Sequence, residues 1–390
     1  MLDKITQIPP LRIAVVGGGQ LGKMMTVAAK QMGFHVTVLD PTPQSPAAQV
    51  ADRQVIAEFD DSEAIRSLAA DADVITYEFE HIDSVTLMTL EEAGYPVYPT
   101  PKILRVIQNK RTQKDALAAA GIPVAPFMPV GGLADARQAG IVYGYPFLLK
   151  ACTGGYDGKG NAKVCSEAEL SDALAGLGNV ELMAEQFVPF RCEVSVMVAR
   201  SQDGDIRTYP LSENEHEENI LRRSIVPARV SDTVAARARR VAADVMNLFC
   251  GVGIFCVEMF VTEDDKILVN EVAPRPHNSG HYTIEACVSS QFEQQVRAIT
   301  GLPLGDTSLL TPAVMVNLLG EDGHTGPAVV EGCAGALALP GVHLHVYAKT
   351  ETRPRRKMGH FTVTAPTTSQ AIEVARKAEK YLKVVSKQEE

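Results

Sequence analysis

The stretch that decides the fold is VNEVAPRPHNSGH (residues 269–281), in which an apolar segment ends in a run of polar side chains. A second apolar segment, GIFCVEMFV (residues 253–261), precedes it across the acidic turn at 263–265. The pair predicts an antiparallel hairpin with strands near 253–261 and 266–272. Because strand side chains alternate with period two, we expect Glu258 and Glu271 on the same side of this hairpin.

Two carboxylates within apolar strands are costly unless a cation neutralises them, and carboxylate oxygens suit Mg²⁺ carried with nucleotide phosphates. A solvent-facing pair with ordinary pKa values is the alternative. The residues that follow, Arg275 to His281, combine a cation, imidazoles, an amide and a hydroxyl. This composition favours recognition of a polar substrate over packing.

Towards the N-terminus, LRIAVVG (residues 11–17) predicts a buried strand that enters GGGQLG (residues 17–22). These glycines fit G-x-G-x-x-G before a helix, and Asp40 ends the next strand, as in a dinucleotide-binding turn. A phosphate or small-substrate turn and a plain strand-to-helix connection are the alternatives. Met24 stands where a Walker A loop needs Ser or Thr, so that motif matches poorly.

Alternating strands and helices continue from this turn and predict an α/β fold with a parallel, doubly wound N-terminal sheet. Strands are expected at 35–39, 74–77 and 147–150, and helices at 21–33, 62–71, 84–93, 113–120 and 369–384. The predicted division is an N-terminal domain (1–112), two central units (113–190 and 191–310) and a C-terminal domain (311–390).

A second glycine-rich segment, TGGYDGKG (residues 153–160), follows the strand that ends at Lys150. Its amides can close over phosphates, and Lys159 adds positive charge. Lys150 is placed to reach a nucleotide phosphate. A plain surface hairpin is the alternative for this segment.

Other polar groups have weaker signals. Arg353, Arg355, Arg356 and Lys357 form the dense basic cluster of the chain, which indicates either a phosphate clamp or a solvated basic loop. The segment EQFV (residues 185–188), followed by Glu193, can offer groups to adenine and ribose or be ordinary sheet. His216 is compatible with a solvated loop, and His343 and His345 are predicted to be surface histidines.

Bulk properties exclude several classes of protein. The chain has 390 residues and a formal charge of −10, which disfavours a nucleic-acid surface. No apolar run is long enough to span a bilayer, and the first ten residues contain no apolar core of an export signal. The seven cysteines are scattered without a C-x-x-C pair, so we expect reduced thiols in a cytoplasmic protein.

Together these motifs resemble the ATP-grasp superfamily and, within it, the N5-carboxyaminoimidazole ribonucleotide synthetases. The resemblance covers nearly the whole chain. It rests on GGGQLG (17–22), TYEFE (76–80), GGYDGKG (154–160), NEVAPRPHNSGH (270–281) and RKMGH (356–360). It implies ATP-dependent carboxylation of 5-aminoimidazole ribonucleotide with bicarbonate through carboxyphosphate, with ATP and Mg²⁺ bound between two domains and the protein a homodimer.

The resemblance also implies roles for individual residues. Those expected at ATP are Lys110, Lys150, Gly155, Tyr156, Asp157, Gly158, Lys159, Gly160, Asn161, Glu185, Gln186, Phe187, Val188, Glu193, His216, Asn270 and Glu271. Those expected at the ribonucleotide and bicarbonate are Gln20, Glu80, Tyr156, Asp157, Arg275, His277, Asn278, Ser279, Lys349 and Arg356. Arg275, Lys159 and Glu80 are the catalytic candidates, and Glu258, Glu271 and Asn270 the Mg²⁺ ligands.

Three other functions stay open at this point. A formate-dependent glycinamide ribonucleotide transformylase shares the two-glutamate site and the phosphate clamp. An NAD(P)-dependent oxidoreductase agrees with the first glycine motif but explains neither the second nor the paired glutamates. A non-catalytic nucleotide-binding regulator is the third.

Overall fold

The computed structural model describes residues 11–154 and 160–387. The N-terminal unit is a parallel four-stranded sheet in the order β3-β2-β1-β4, with its central strands buried on both faces. Its elements are β1 (Arg12–Val16), α1 (Gln20–Gln31), β2 (His35–Leu39), β3 (Arg53–Val55), α2 (Ser62–Ala70), β4 (Val74–Tyr77), α3 (Ser84–Glu92) and α4 (Pro101–Ile107). Asp61 and Asp83 cap α2 and α3 by accepting hydrogen bonds from first-turn amides. The predicted doubly wound unit is confirmed.

The second unit is an antiparallel sheet in the order β5-β8-β6-β7, covered by two helices. Its elements are α5 (Lys110–Ala119), β5 (Phe127–Val130), α6 (Leu133–Tyr143), β6 (Phe147–Ala151), β7 (Asn161–Val164), α7 (Leu170–Leu177) and β8 (Leu182–Gln186). The glycine-rich segment lies between β6 and β7, and its residues 155–159 are outside the described part of the chain.

The largest sheet has nine strands in the order β14-β13-β9-β11-β12-β15-β19-β17, with β10 paired to β9. Its first elements are β9 (Phe190–Arg200), β10 (Ile206–Thr208), β11 (Ser212–Glu217), β12 (Ile220–Val226), α8 (Asp232–Phe249), β13 (Gly253–Thr262), β14 (Ile267–Ala273), α9 (Thr283–Ala286) and α10 (Gln291–Ile299). Helix α8 packs an apolar stripe, including Val234, Ala238 and Val245, under β9 and β13. This packing fixes the strands that carry the candidate glutamates.

The C-terminal elements extend the same sheet. They are β15 (Ala313–Leu319), β16 (Gly326–Glu331), α11 (Cys333–Leu337), β17 (Val342–Val346), β18 (Glu351–Thr352), β19 (Lys357–Thr364), α12 (Thr368–Tyr381) and β20 (Lys383–Ser386). Because β15 pairs with β12, with Arg223 opposite Val316, the sheet continues across the predicted boundary at 310. The last helix ends at Tyr381, earlier than predicted, because residues 383–386 pair with β16.

Among the described residues, no helix combines the length and the apolar character needed to cross a bilayer.

Candidate active site

The hairpin β13–β14 places two carboxylates opposite each other, as period-two alternation predicts. Glu258 and Glu271 are directly paired across the strands, and the register shifts immediately afterwards, so that Met259 faces Val269. Asn270 is the extra residue of this bulge. A bulge re-aims side chains locally, which gives a structural reason for Asn270 and Glu271 to serve one site despite being consecutive.

The electrostatics of this pair fit a divalent cation. Burial, together with the facing charge of Glu271, raises the pKa of Glu258 to about 7. Cys256 Sγ and His277 Nε2 lie near the Glu258 carboxylate, with the ligand atoms of the three residues within 4.8 Å of one another. Burial raises the pKa of the Cys256 thiol well above its usual range, so the carboxylates are the anionic donors. Two hard oxygen donors suit Mg²⁺ better than a soft metal.

Lysines face the glutamates from the second unit. Lys110 begins α5, and its Nζ lies 2.7 Å from Glu271 Oε2. Burial lowers the pKa of Lys110, but the charge of Glu271 outweighs it, so the net shift is upward. Burial raises the pKa of Glu271, but the positive charge of Lys110 outweighs it, so the net shift is downward. Gln113 fixes the strand beneath, since its amide exchanges two hydrogen bonds of 3.0 Å with the backbone of Val272.

Behind Lys110 lies a buried triad of two lysines and one glutamate. Glu185 Oε1 is 2.6 Å from Lys150 Nζ, and Glu185 Oε2 is 2.6 Å from Lys114 Nζ. All three residues are at most 8% exposed. Burial opposes the ionised form of Glu185, but the two ammonium groups lower its pKa overall. The triad has one excess positive charge, which favours an anion beside it.

We expect Glu185→Gln to destabilise the protein by about 3–5 kcal/mol, because two buried ammonium groups lose their common counter-ion. The matched control is Glu167→Gln, which removes an exposed ion pair with Arg137 and should cost less than about 1 kcal/mol. Denaturant unfolding of both variants measures the difference. Equal losses would contradict the importance of the triad.

The residues expected at adenine and ribose lie beside this triad. The Glu185 side chain is used within the triad, and the Gln186 N–H donates to the Pro126 carbonyl at 2.9 Å. That N–H is therefore occupied in this conformation, and a contact with adenine would come from the other backbone groups of residues 185–188. The predicted ribose ligand Glu193 pairs with His216, whose Nδ1 is 2.7 Å from Glu193 Oε2.

That contact raises the pKa of His216 even though burial opposes it. The solvated-loop interpretation of His216 was therefore wrong: the residue lies on β11 and faces the glutamates.

The polar turn after β14 is more deeply buried than its composition suggests. Ser279 is 0% exposed, and its hydroxyl bonds to Ser195 Oγ at 2.8 Å and His277 Nδ1 at 2.9 Å. In this structure Ser279, predicted to contact substrate, is buried and holds His277. Asn278, 8% exposed, pairs amide to amide with Asn317 on β15. His277 Nε2 lies 3.2 Å from Glu258 Oε1.

Arg275 connects the turn to the N-terminal unit. Its Nε lies 2.9 Å from Glu80 Oε1, just beyond β4. Burial opposes the charged guanidinium, yet Glu80 raises the pKa of Arg275 overall. The catalytic candidates Arg275 and Glu80 are thus brought together. The third candidate, Lys159, lies outside the described residues, as do Gly155, Tyr156, Asp157 and Gly158. Gly160 and Asn161 are described, at the start of β7.

The basic cluster forms a concentrated positive region between β17 and β19. Lys349 Nζ donates to the Lys357 carbonyl at 2.8 Å, and Arg356 Nη1 donates to the Glu351 carbonyl at 2.8 Å. Burial and the neighbouring Arg356 lower the pKa of Lys349 to about 8. Burial and Arg353 also lower the pKa of Arg356. Crowded cations of this kind gain when a dianion binds, as a phosphate clamp requires.

Comparisons with known proteins match most of the chain to one family. Family profiles match at residues 11–108 (ribonucleotide synthetase preATP-grasp domain), 115–292 (ATP-grasp domain) and 313–374 (phosphoribosylaminoimidazole carboxylase C-terminal domain). N5-carboxyaminoimidazole ribonucleotide synthase of Bacillus subtilis is 47% identical over 357 residues, which is 91% of each chain. The chain belongs to the N5-carboxyaminoimidazole ribonucleotide synthase family.

Solved structures of the family have the same fold. The synthetase of Thermotoga maritima is 50% identical, with a TM-score of 0.89 over 97% of this chain and all of the other. The Aspergillus clavatus synthase in complex with ADP and 5-aminoimidazole ribonucleotide is 36% identical, with a TM-score of 0.89 over 95% of this chain and 98% of the other. The predictions of an ATP-grasp fold and of an ATP-dependent ligase are confirmed.

The first glycine turn has a different use from the one its motif suggests. The Glu78 carboxylate lies in the turn and accepts hydrogen bonds from the N–H groups of Gly19 and Gly22, the latter at 2.5 Å. The Gly18 N–H donates to Asp40 Oδ2 at 2.9 Å. A bound dinucleotide would need the glycine N–H groups and the Asp40 carboxylate, but these groups bond within the protein. This arrangement disfavours an oxidoreductase. Gln20 follows as the first residue of α1, where the synthase resemblance places the ribonucleotide.

Sequence reasoning missed several residues of this synthase site and misjudged one histidine. Lys114 could have been found, since it lies four residues after Lys110 on the same helix face. Glu78 could also have been found, because it directly follows the strand 74–77 and lies two residues before Glu80. His345, predicted to be a surface histidine, is half-buried: its Nε2 lies 2.5 Å from Glu285 Oε1 and its ring stacks on His360.

Proposed function

We propose that this chain carries out the family reaction with bicarbonate as the carbon source. ATP and bicarbonate would give carboxyphosphate, and 5-aminoimidazole ribonucleotide would accept its carboxyl group to form N5-carboxyaminoimidazole ribonucleotide. The observation that carries the proposal is the set of charged groups around the β13–β14 hairpin. The glutamate pair, Lys110 and Lys150 would form the nucleotide side of the site, and Arg275 and the phosphate clamp would form its ribonucleotide side.

The residues of the nucleotide side suit an ATP triphosphate. Lys110 supplies positive charge, and the buried triad that contains Lys150 supplies one net positive charge more. Glu258 and Glu271, with Asn270, would hold Mg²⁺, which supplies charge neutralisation to the phosphates when bound. Rigid support from Gln113 and Ser279 keeps Glu271 and His277 in place, and positioning is the main task of a phosphoryl-transfer site.

The chemical steps balance without a covalent enzyme intermediate. A bicarbonate oxygen attacks the γ-phosphorus, the bond to the β-phosphate oxygen breaks, and ADP leaves. The amine nitrogen of the ribonucleotide then bonds to the carboxyl carbon, or to CO₂ released from it, as the carbon–oxygen bond to phosphate breaks. The departing phosphate is the nearest acceptor for the amine proton. Arg275, held by Glu80, would offset the negative charge of bicarbonate.

Carboxyphosphate is labile in water, so the proposal includes closure of the site. The glycine-rich segment that contains Tyr156, Asp157 and Lys159 follows Lys150 directly in the chain. The family resemblance implies that this segment covers the phosphates and excludes water, and the expectation falls on residues 155–159, outside the described part of the chain.

Binding of the ribonucleotide should weaken at alkaline pH because of Lys349. Its pKa is about 8, lowered by burial and by Arg356, while Glu78 acts in the opposite direction. The phosphate dianion binds the ammonium form, so the KM for ribonucleotide should be nearly flat around pH 7, above the phosphate pKa of about 6, and rise up to about tenfold per pH unit above pH 8. The pH profile of kcat/KM measures this effect. A Lys349→Arg variant, which stays charged, should flatten the profile.

Isotope incorporation tests the carbon source. With ¹³C-bicarbonate, ATP and 5-aminoimidazole ribonucleotide, the product should carry one ¹³C label, detected by ¹³C NMR at its carbamate carbon. Label confined to bicarbonate while ADP accumulates would contradict carboxylation.

The partners and location are part of the same proposal. All seven cysteines lie among the described residues and are free, which agrees with a reducing cytoplasm. A homodimer is proposed from the family resemblance, and its mass in solution is the test.

Formate-dependent glycinamide ribonucleotide transformylase is disfavoured, since the similar proteins are named for N5-carboxyaminoimidazole ribonucleotide and phosphoribosylaminoimidazole carboxylation.

A further inference from the structure

Buried polar side chains begin directly beneath the phosphate clamp. Lys349 Nζ lies 5.7 Å from the centroid of the Tyr347 ring, and the Tyr347 O–H bonds to His360 Nδ1 at 2.9 Å. The His360 ring lies between two other imidazoles. Its centroid is 4.5 Å from that of His345, nearly parallel at 11°, and 4.5 Å from that of His281 at 37°.

The contacts continue from His281 to the glutamate pair. Gln291 Nε2 lies 3.3 Å from His281 Nδ1 and donates to the His277 carbonyl at 2.8 Å. Gln291 Oε1 accepts from the His277 N–H at 2.9 Å. His277 Nε2 in turn lies 3.2 Å from Glu258 Oε1. We name this set the polar column; it consists of Tyr347, His360, His281 and Gln291.

The polar column is buried, and it combines hydrogen-bond contacts with one ring contact, between His360 and His281. Its four members are at most 2% exposed. Burial holds the pKa values of His281 and His360 well below their usual range, so both rings are neutral. Burial also raises the pKa of Tyr347, so its hydroxyl is protonated, and the tautomer of His360 sets the direction of the hydrogen bond between them. A neutral imidazole has one donor and one acceptor, so a displaced ring cannot simply exchange partners.

Packing alone gives no reason for this composition. Apolar side chains of similar size would fill the same volume without the cost of burying hydroxyl, imidazole and amide groups. The column is also connected to the clamp through the backbone of β19. This strand begins at Lys357, whose carbonyl accepts a hydrogen bond from Lys349, and it contains His360. A movement of Lys349 towards a phosphate therefore acts on the column at two points.

We infer that the polar column consists of positioning residues that couple ribonucleotide binding at the clamp to the geometry of His277 and Glu258. The inference rests on the proposed function. With the 5′-phosphate bound, Lys349 and Tyr347 are fixed, and the chain of contacts through Gln291 holds the His277 backbone beside the carboxylate. Ribonucleotide and Mg-nucleotide should then strengthen each other's binding, because such coupling is reciprocal.

Calorimetry of MgADP binding tests the coupling. The dissociation constant of MgADP is measured with and without saturating 5-aminoimidazole ribonucleotide, in the wild type and in Tyr347→Phe, which removes the hydroxyl alone. The wild-type ratio should be about fivefold or more, the lower range of typical allosteric coupling. In Tyr347→Phe the ratio should fall at least about threefold, the value of one net hydrogen bond.

Tyr209→Phe is the matched control, since Tyr209 is also fully buried and its hydroxyl donates to a backbone carbonyl, that of Ser289, at 2.9 Å. This variant should lose similar stability and keep the wild-type ratio. A wild-type ratio of one, or equal ratios in the wild type and Tyr347→Phe, would overturn the inference. ADP release by the same wild-type sample separates the cases: without release in the presence of ribonucleotide and bicarbonate, the proposed function itself fails.

Discussion

Glu271→Gln should reduce ATP turnover by about 10²–10³-fold, the usual effect of removing one preorganised electrostatic group from an active site. Glu271 faces Glu258 across the hairpin and pairs with Lys110 at 2.7 Å. The amide keeps the size of the side chain but removes the anionic oxygen available to Mg²⁺ and the counter-charge of Lys110. Steady-state ADP release at saturating ATP, over a range of Mg²⁺ concentrations, measures the loss.

The fold should survive this substitution, because 46% of the Glu271 side chain is exposed. The thermal unfolding midpoint is therefore expected to stay near that of the wild type. Glu263→Gln, in the exposed turn of the same hairpin, is the control and should retain full activity. Wild-type turnover by Glu271→Gln would remove this residue from Mg²⁺ ligation.

Lys349→Met should lower kcat/KM for 5-aminoimidazole ribonucleotide by about 30- to 150-fold, which corresponds to about 2–3 kcal/mol for one charge-assisted hydrogen bond. The lysine is mostly buried among Arg353, Arg356 and Lys357, which all act on its pKa. A 5′-phosphate is remote from the reacting amine, so its contacts contribute equally to ground state and transition state. The loss should therefore appear in KM, with kcat nearly unchanged.

The control for Lys349→Met is Lys377→Met, which removes an exposed lysine paired with Glu373 on α12. It should leave both constants unchanged. An increase in the KM for ATP, with an unchanged KM for ribonucleotide, would place Lys349 on the nucleotide side and contradict the phosphate clamp.

Much of the fold follows from local patterns. The strands 35–39 and 74–77 were predicted with their observed bounds, because each is an apolar run between clear breaking residues. The facing glutamates followed from period-two alternation. The bulge at Asn270 did not, since an inserted residue leaves no periodic signal. The last helix was extended too far because residues 383–386 owe their strand to distant pairing with β16.

The site was less predictable where tertiary contacts set the role of a residue. The resemblance implied that Ser279 meets substrate, but its hydroxyl bonds to Ser195, which is far away in the sequence. His345 has its partner Glu285 at a separation of 60 residues, which no local pattern reveals. The G-x-G-x-x-G turn is filled by Glu78, so the motif alone could not distinguish an internal cap from a ligand site.

ADP release by the purified protein with paired substrates tests the central claim most directly. One reaction contains ATP, Mg²⁺, bicarbonate and 5-aminoimidazole ribonucleotide; the other contains formate and glycinamide ribonucleotide in place of the last two. We expect release in the first reaction, with about one ADP for each ribonucleotide consumed, and background release in the second. Stimulation by formate and glycinamide ribonucleotide, with none by 5-aminoimidazole ribonucleotide, would contradict the account.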